Sequence, residues 1–270
     1  MRKMILNQVH HKFKIGDKPK ELEPTLFEDT IFISDGRPIG FYLAKIPEKL
    51  EKLSEIANCE FRTDNVPKQE MSRGPQGDKK AKLERRKAGI ELVTQYSTII
   101  GSIPPKPHMR RPYATKSSVH TIASARTFVK AMIMAGRESL KIIEQISPEI
   151  YQTHKKAVES RVPLEWRFAD LFTSSISNFN IAAAIHRDNL NVKGAVNVII
   201  TKRRDSNGGN LYIPDYDVTF NSANNSMLVY PAWRNMHGVT PIVPTRSGGY
   251  RNSLIWYALD AFREASDATG

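Results

Sequence analysis

The stretch "IAAAIHRDNLN", residues 181–191, begins as an apolar run and ends with a histidine, an arginine and an aspartate. The apolar part predicts a buried strand. Because residues i and i+2 of a strand point to the same side, His186 and Asp188 are expected to present an imidazole and a carboxylate to one point. The H-x-D pattern alone is a weak signal, since a histidine hydrogen-bonded to a nearby aspartate produces it equally well.

A second histidine lies in "HGVTP", residues 237–241, just after the apolar run "SMLVYP" at 226–231. If both segments line the mouth of the same barrel, His237 adds a second nitrogen to the imidazole and carboxylate of the first stretch. Two nitrogens and one oxygen on one face form the facial triad of non-haem Fe(II) oxygenases, which leaves coordination positions open.

The third informative stretch is "YRNSLIWYAL", residues 250–259. Arg251 and Ser253 are again i and i+2 on a predicted strand, so they share one side. A buried arginine is costly unless it is paired, and this segment offers no obvious acid. A bound carboxylate would supply the partner, because arginine offers a planar fork of donors and serine a hydroxyl. Together the three stretches predict Fe(II), 2-oxoglutarate and O2 as cofactor and co-substrates.

The overall charge points to an anionic partner. The 270 residues include 40 lysines and arginines against 28 aspartates and glutamates, a formal net charge of +12. This excess favours nucleic acid as a partner, and a basic surface without a specific ligand is the alternative. The only cysteine, Cys59, excludes an intramolecular disulfide and a cysteine-based zinc site. No apolar run is long enough for a membrane helix, so no membrane partner is expected.

The order of the predicted elements indicates the fold class. Helices are expected from Pro47, over residues 117–146 with an interruption or bend at Gly136, and from Pro148. Two strands are predicted earlier, Ile31 to Ile33 and Ile39 to Leu43, on either side of the turn Asp35-Gly36-Arg37-Pro38. From about residue 164 the predicted strands are "SNFNIAAAI", "GAVNVIITK", "GGNLYIP", "NSMLVYPA" and "RNSLIWYAL". The pattern predicts an α+β protein with a double-stranded β-helix (jelly-roll) core supported by N-terminal helices.

Two parts of the chain are expected. Residues 1–115 form a basic mixed region that packs on the core and contacts DNA, and residues 116–270 hold the helices and the jelly-roll. Basic clusters in the first part could follow a phosphate backbone, with a solvated charged loop as the alternative for each. These clusters are Lys79, Lys80, Lys82, Arg85, Arg86 and Lys87, and the pair Arg110 and Arg111.

The segments "HRDNLN" (186–191), "HGVTP" (237–241) and "RNSLIWY" (251–257) resemble the oxygenase core of the TET/JBP family. That family oxidises the 5-methyl group of pyrimidines in nucleic acid. The resemblance covers about the last hundred residues and is strongest for the TET 5-methylcytosine dioxygenases. The small size of the chain resembles compact members found in bacteriophages and lower eukaryotes.

The resemblance implies a role for each matching residue. It implies that iron binds His186, Asp188 and His237, and that 2-oxoglutarate binds Arg251 and Ser253. It also implies that Asn191 hydrogen-bonds a flipped-out base and that Tyr257 stacks on it. From the residues alone, the favoured interpretation of Asn191 is a turn residue and that of Tyr257 a core tyrosine on a barrel strand.

Two positions are less well defined by the resemblance. Leu259 stands where TET enzymes have a histidine that contacts the base edge, which leaves the choice between cytosine and thymine open. A second contact to 2-oxoglutarate is assigned to Asn178, with Asn180 as a further candidate.

The expected function is hydroxylation of 5-methylcytosine in DNA to 5-hydroxymethylcytosine, with the extent of further oxidation left open. The base must leave the duplex to reach the site. A thymine or RNA methyl-group hydroxylase is the first alternative, and a protein hydroxylase or a non-catalytic DNA-binding module on the same fold is a more distant one. The protein is expected to be a monomer that is not secreted. It would act in the cytoplasm of a phage-infected cell or, in a eukaryote, in the nucleus.

Overall fold

A computed structural model describes residues 1–70 and 95–263 of the chain. Within these ranges the strands are β1 (Arg2–Ile5), β2 (Thr30–Ser34), β3 (Arg37–Leu43), β4 (Gln69–Glu70), β5 (Tyr96–Ile103), β6 (Thr115–Lys116), β7 (Ser174–Phe179), β8 (Asn197–Arg204), β9 (Ser206–Gly208), β10 (Leu211–Ile213), β11 (Val218–Phe220), β12 (Ser226–Tyr230), β13 (Gly238–Val239), β14 (Ile242–Pro244) and β15 (Tyr250–Tyr257). The helices are α1 (Glu48–Arg62), α2 (Arg126–Ile146) and α3 (Pro148–Glu159).

In the described ranges, a ten-stranded sheet forms the centre of the molecule, in the order β1-β2-β3-β12-β8-β15-β7-β5-β4 with β6 paired to β5. A three-stranded sheet, β11-β10-β13, faces one side of it, and β9 pairs with β14 in a separate ribbon. The protein is therefore a mixed α+β structure with two facing sheets, as predicted. None of the described helices has the length and apolar character needed to cross a bilayer.

The two faces of the large sheet have different neighbours. On β15, Leu254 and Trp256 belong to the core that packs against the helices. Ile255, on the opposite side, packs towards the core shared with the small sheet, together with Ile199 of β8 and Leu211 of β10. This period of two follows from the pleat of a strand. It means that Arg251 and Ser253 point away from the helices.

The early part of the chain belongs to the same sheet as the later part. The strand β3 pairs with β12, and β5 pairs with β7. The sheet thus runs across the predicted division at residues 115 and 116, and the division itself stays a prediction. Both early strands predicted around the turn are present as β2 and β3, and α1 begins directly after Pro47 as expected.

The helix predicted over residues 117–146 begins later, at Arg126. Short 3₁₀ turns, Ser118–Thr121 and Ala123–Ala125, precede it. The Ser117 hydroxyl accepts a hydrogen bond from the Val119 N–H and donates one to the Ile99 carbonyl, which ties this segment to β5. The start of the segment is therefore set by contact with the sheet, which a helical period does not report.

Of the interruption or bend predicted at Gly136, the interruption is wrong, because α2 is continuous there, and the bend stays a prediction. A Cβ at Gly136 would lie 2.8 Å from the Trp256 indole Nε1 and 2.8 Å from the Ala169 Cβ. The glycine is needed for the close approach of α2 to the sheet. The Trp256 indole then donates to the Met132 carbonyl of the same helix, at 3.0 Å.

Candidate active site

The strand expected at the start of the opening stretch ends earlier than predicted. The strand β7 stops at Phe179, and Asn180 has a left-handed backbone with a φ of 56°, a conformation that asparagine tolerates better than most residues. Residues 181–185 are not a strand. The alternation of side chains along a β-strand therefore does not explain why His186 and Asp188 face the same point.

Main-chain pairing positions the two histidines instead. His186 and His237 form an antiparallel bridge in which each N–H donates to the carbonyl of the other, at 2.8 and 2.9 Å. Their ring centroids are 4.3 Å apart. At the far end of the same stretch, Asn191 forms a bridge with Leu259, just after β15. The loop between these two bridges carries Asp188 and is fixed at both ends.

Asp188 completes a convergent group of donors. Its Oδ1 lies 3.5 Å from the His186 Nε2 and 4.0 Å from the His237 Nε2. One ligand atom from each of the three residues lies within 4.8 Å of the others. The structure thus brings together the three residues predicted to bind iron.

Hydrogen bonds at the Nδ1 atoms of His186 and His237 determine which ring nitrogen of each imidazole carries a proton. The His186 Nδ1 is 2.8 Å from the Ala184 carbonyl, and the His237 Nδ1 is 3.2 Å from the Asn235 carbonyl. A carbonyl only accepts, so each Nδ1 carries a proton, and Nε2 is the ring nitrogen that each histidine turns towards Asp188. Burial, together with the nearby His186, holds the pKa of His237 below its usual range. Two imidazole Nε2 atoms that face a carboxylate oxygen fit a divalent metal ion.

The second oxygen of Asp188 is held by amides. Asn197, at the start of β8, donates from Nδ2 to the Asp188 Oδ2 at 3.0 Å. Asn191 donates from Nδ2 to the Asn197 Oδ1 at 2.8 Å. The sequence analysis missed Asn197. Its signal was a polar residue inside the apolar stretch "GAVNVIITK", on the same side of the strand as Ile199.

Arg251 is a charged residue whose long side chain is almost fully buried. Only 2% of its surface is exposed. Its Nη1 donates to the Ser253 Oγ at 2.8 Å, whereas its Nε is buried without a partner. Within residues 1–70 and 95–263 no carboxylate forms an ion pair with Arg251, so the guanidinium fits a carboxylate supplied by a ligand.

A second arginine increases the positive charge at this point. Arg203 lies opposite Arg251 in the register of β8 and β15. Its guanidinium donates to the carbonyls of Gly208, Ser222 and Ser206, and no acid among the described residues forms an ion pair with it. Burial, followed by the repulsion from Arg203, lowers the pKa of Arg251 to about 9. Arg251 stays cationic at neutral pH, and both arginines favour an anion here.

All eight predicted site residues line one cavity of about 660 Å³. They are His186, Asp188, His237, Arg251, Ser253, Asn178, Asn191 and Tyr257. Leu259 lies in the wall of the same cavity, so the position that departs from the TET pattern is at the site. Burial, with a smaller contribution from Asp188, raises the pKa of the Tyr257 phenol, which is neutral at physiological pH.

The two asparagines of β7 and its end differ in their contacts. Asn178 is paired with Ser253 across β7 and β15 and lines the cavity. Asn180 instead uses its Oδ1 to accept a hydrogen bond from the Arg251 N–H, at 2.9 Å. Asn178 therefore keeps the better position for contact with a ligand.

Of the two predicted basic clusters, one falls outside the described residues and the other does not line the cavity. The cluster between Lys79 and Lys87 falls in residues 71–94, which the structure does not describe. Arg110 is exposed, whereas Arg111 donates to the Pro104 carbonyl at 2.6 Å and so has a local structural contact.

Comparison with protein families gives one match. The Tet_JBP family, described as the oxygenase domain of the 2OGFeDO superfamily, matches residues 105–259. This range is more than half of the chain and contains every residue of the triad and of the Arg251 region. A comparison with curated proteins finds no match.

Three solved structures illustrate what the fold of this chain is similar to. NgTET1 in complex with 5mC DNA is 14% identical, with a TM-score of 0.60 over 94% of this chain and 85% of that chain. This likeness shows a shared jelly-roll oxygenase fold. A 2OG-Fe(II) oxygenase family protein from Burkholderia pseudomallei is 12% identical, with a TM-score of 0.44 over 83% of this chain and 86% of that one. A 2OG-Fe(II) oxygenase family protein from Caulobacter crescentus is also 12% identical, with a TM-score of 0.44 over 81% of this chain and 77% of that chain.

Proposed function

The chain belongs to the Tet_JBP family of 2OGFeDO oxygenases, and from this premise we propose that it hydroxylates the 5-methyl group of 5-methylcytosine in DNA. It is an Fe(II)- and 2-oxoglutarate-dependent dioxygenase, and O2 is its oxidant. One observation carries the proposal: the triad, the unpaired Arg251 and the cavity-facing Asn191 and Tyr257 all line a single cavity.

The proposed metal ligands are the Nε2 atoms of His186 and His237 and the Oδ1 of Asp188. The Nδ1 hydrogen bonds to backbone carbonyls orient both rings so that their Nε2 atoms face Asp188. When bound, iron with 2-oxoglutarate and O2 supplies the oxidation in which one oxygen atom enters a substrate C–H bond and the other enters succinate, with release of CO2.

The proposed 2-oxoglutarate site begins at Arg251 and Ser253. The guanidinium and the hydroxyl, 2.8 Å apart, would bind the carboxylate that lies far from the metal. Asn178, opposite Ser253, would give a second contact. Because this end of the cavity is buried and cationic, it favours a dianionic keto acid over neutral small molecules.

The proposed base site lies at the other end of β15. Tyr257 is the sixth residue after Arg251, which is about 20 Å along a strand. Tyr257 would stack on the base and Asn191 would hydrogen-bond to its edge. A base inside a duplex cannot reach this wall, so the target must be extruded into the cavity or presented in a single strand.

Charge supports nucleic acid as the partner. The formal net charge of the chain is +12. Arg187 is exposed and lines the cavity beside Asp188, and Lys193 is exposed two residues after Asn191. They could contact phosphates while a base occupies the cavity. The similar fold of NgTET1, solved with 5mC DNA, supports the same assignment.

The decisive experiment supplies the protein with Fe(II), 2-oxoglutarate and O2, and with oligonucleotides that contain 5-methylcytosine or only thymine as the methylated base. Nucleosides are then quantified by mass spectrometry and succinate is measured in parallel. The proposal expects 5-hydroxymethyl-2′-deoxycytidine in amounts that match succinate. Product only from thymine would reassign the base, and succinate without any modified base would contradict a nucleic-acid substrate.

A further inference from the structure

Asp188, Asn197 and Asn191 form a hydrogen-bonded chain of three polar side chains, which begins at the carboxylate of the triad and ends in the cavity wall. Asn197 is buried, with 4% of its surface exposed, and stands between Asp188 and Asn191. It donates to the Asp188 Oδ2 at 3.0 Å and accepts from the Asn191 Nδ2 at 2.8 Å. The Asn191 Nδ2 has a longer contact of 3.5 Å with the same carboxylate oxygen.

The direction of each hydrogen bond in this chain follows from the carboxylate. An ionised Asp188 only accepts, so Asn197 must turn its NH₂ group towards the Oδ2. The Asn197 carbonyl oxygen then faces Asn191, and only the NH₂ group of Asn191 can donate to it. Exchanging N and O in either amide would place two acceptors or two donors against each other.

The orientation of Asn191 leaves one group for a ligand. Its Nδ2 is used by Asn197 and Asp188, and no described residue, in 1–70 or 95–263, donates to its Oδ1. Because Asn191 lines the cavity, this carbonyl oxygen is the polar atom that it offers there. The site therefore presents an acceptor at this point and no donor from Asn191.

We propose that Asn197 is a positioning residue that fixes the polarity of Asn191 through Asp188, so that the cavity selects a pyrimidine with an exocyclic amine over one with a carbonyl at that position. This rests on the proposed function for the placement of a base beside Asn191. The 4-amino group of cytosine donates to the Asn191 Oδ1, whereas the O4 of thymine would oppose it. The fixed orientation of Asn191 also compensates for Leu259, an apolar side chain that cannot form a hydrogen bond with the base edge.

Binding in the absence of turnover tests this directly. The protein is loaded with Fe(II) and 2-oxoglutarate under argon, without O2. Its affinity is measured by fluorescence anisotropy for single-stranded oligonucleotides with one central 5-methylcytosine or one central thymine. Single strands remove the cost of base extrusion, so the affinity ratio reports recognition of the base.

We expect the wild-type protein to favour 5-methylcytosine by roughly tenfold or more, the value of one well-formed edge contact. Asn197→Leu and Asn197→Thr should both lower this ratio towards one. Threonine suits a strand and keeps a hydroxyl beside Asp188, so Asn197→Thr is expected to fold even if Asn197→Leu does not. Asn252→Leu is the matched control, because Asn252 is a buried asparagine that faces α1 and bonds to Asn58. It should leave the ratio unchanged.

A double-mutant cycle separates positioning from general damage. Asn191→Ala should abolish the preference, and Asn197→Leu should change it no further in that background. The inference is overturned if Asn197→Leu and Asn197→Thr keep the wild-type ratio, if Asn197→Leu lowers the ratio independently of Asn191, or if the wild-type protein binds both bases equally. A preserved base preference without any oxidised product would instead contradict the proposed function and leave the role of Asn197 supported.

Discussion

His186 and His237 hold each other in place through their main chains: the N–H of each donates to the carbonyl of the other, at 2.8 and 2.9 Å. The pairing is an isolated bridge between segments that are distant in sequence. It fixes two imidazoles side by side before any metal is bound. A site organised in this way needs little rearrangement to bind its ion, which favours tight and geometrically selective binding.

Removal of a triad residue should strongly weaken metal binding without unfolding the protein. His186→Ala and Asp188→Ala are each expected to weaken Co(II) or Fe(II) affinity by roughly a hundredfold or more, since each removes one of three converging donors. The d–d absorption of a Co(II) titration measures this. His108→Ala removes an exposed histidine and is the control. Unchanged Co(II) affinity in both triad variants would show that the metal binds elsewhere.

Arg251→Lys should impair 2-oxoglutarate binding while the positive charge is kept. Lysine cannot reproduce the planar fork beside the Ser253 Oγ, so the KM for 2-oxoglutarate is expected to rise roughly tenfold to a hundredfold. Succinate formation at varied 2-oxoglutarate concentration measures it. Arg246→Lys, at an exposed position, should leave the KM unchanged. An unaltered KM in Arg251→Lys would place the co-substrate away from this arginine.

DNA binding should weaken with salt in proportion to the phosphate contacts. Arg187→Ala and Lys193→Ala are each expected to reduce the slope of log K against log salt concentration by about one. Anisotropy titrations of a duplex at several salt concentrations give the slope. Lys130→Ala is the control, because Lys130 is exposed on α2, which packs on the face of the sheet away from the cavity. Equal slopes for all variants would exclude the cavity rim as the DNA contact.

Stability should fall in acid because of a buried histidine on α3. His154 is fully buried, and its Nδ1 accepts the Val196 N–H at 3.1 Å. Burial lowers the pKa of His154 to about 4 from 6.5. The unfolded chain therefore binds the proton first, so this contribution is complete above pH 6.5 and is lost as the pH falls towards 4. The loss is up to about 3 kcal/mol.

Urea unfolding at pH 7 and pH 4.5 measures this dependence. His154→Gln, whose side-chain carbonyl can still accept the Val196 N–H, should show a smaller difference between the two pH values than the wild-type protein. His108→Gln should keep the wild-type difference. If His154→Gln keeps it as well, another group causes the acid sensitivity.

Gly136→Ala should destabilise the protein although alanine favours a helix. The added methyl would lie 2.8 Å from the Trp256 Nε1, so α2 must shift or the indole must lose its bond to the Met132 carbonyl. A loss of about 1–3 kcal/mol is expected, measured by urea unfolding. Met134→Ala, at a half-exposed position of the same helix, should change stability far less. A gain in stability at Gly136 would mean that the helix and sheet are not in close contact.

Local patterns in the sequence predicted the chemistry well. The inward pair Arg251 and Ser253 follows from the period of two on a strand, and the structure places both on the cavity side of β15. The residue types of the triad also suggested a metal without any knowledge of the fold. The prediction of a strand before His186 was wrong. His186 and Asp188 nevertheless face one point as expected, because a loop fixed at both ends carries Asp188 there.

The sequence by itself determined the set of donors, the buried arginine and the α+β class, since these depend on residue type and on short-range periodicity. Only the tertiary structure decided that His237 lies beside His186, that Arg203 stands next to Arg251 and that Asn197 links Asp188 to Asn191. Each of these contacts joins segments through strand pairing or a loop closed on a distant strand. Such pairing depends on the register of the whole sheet, which no local pattern encodes.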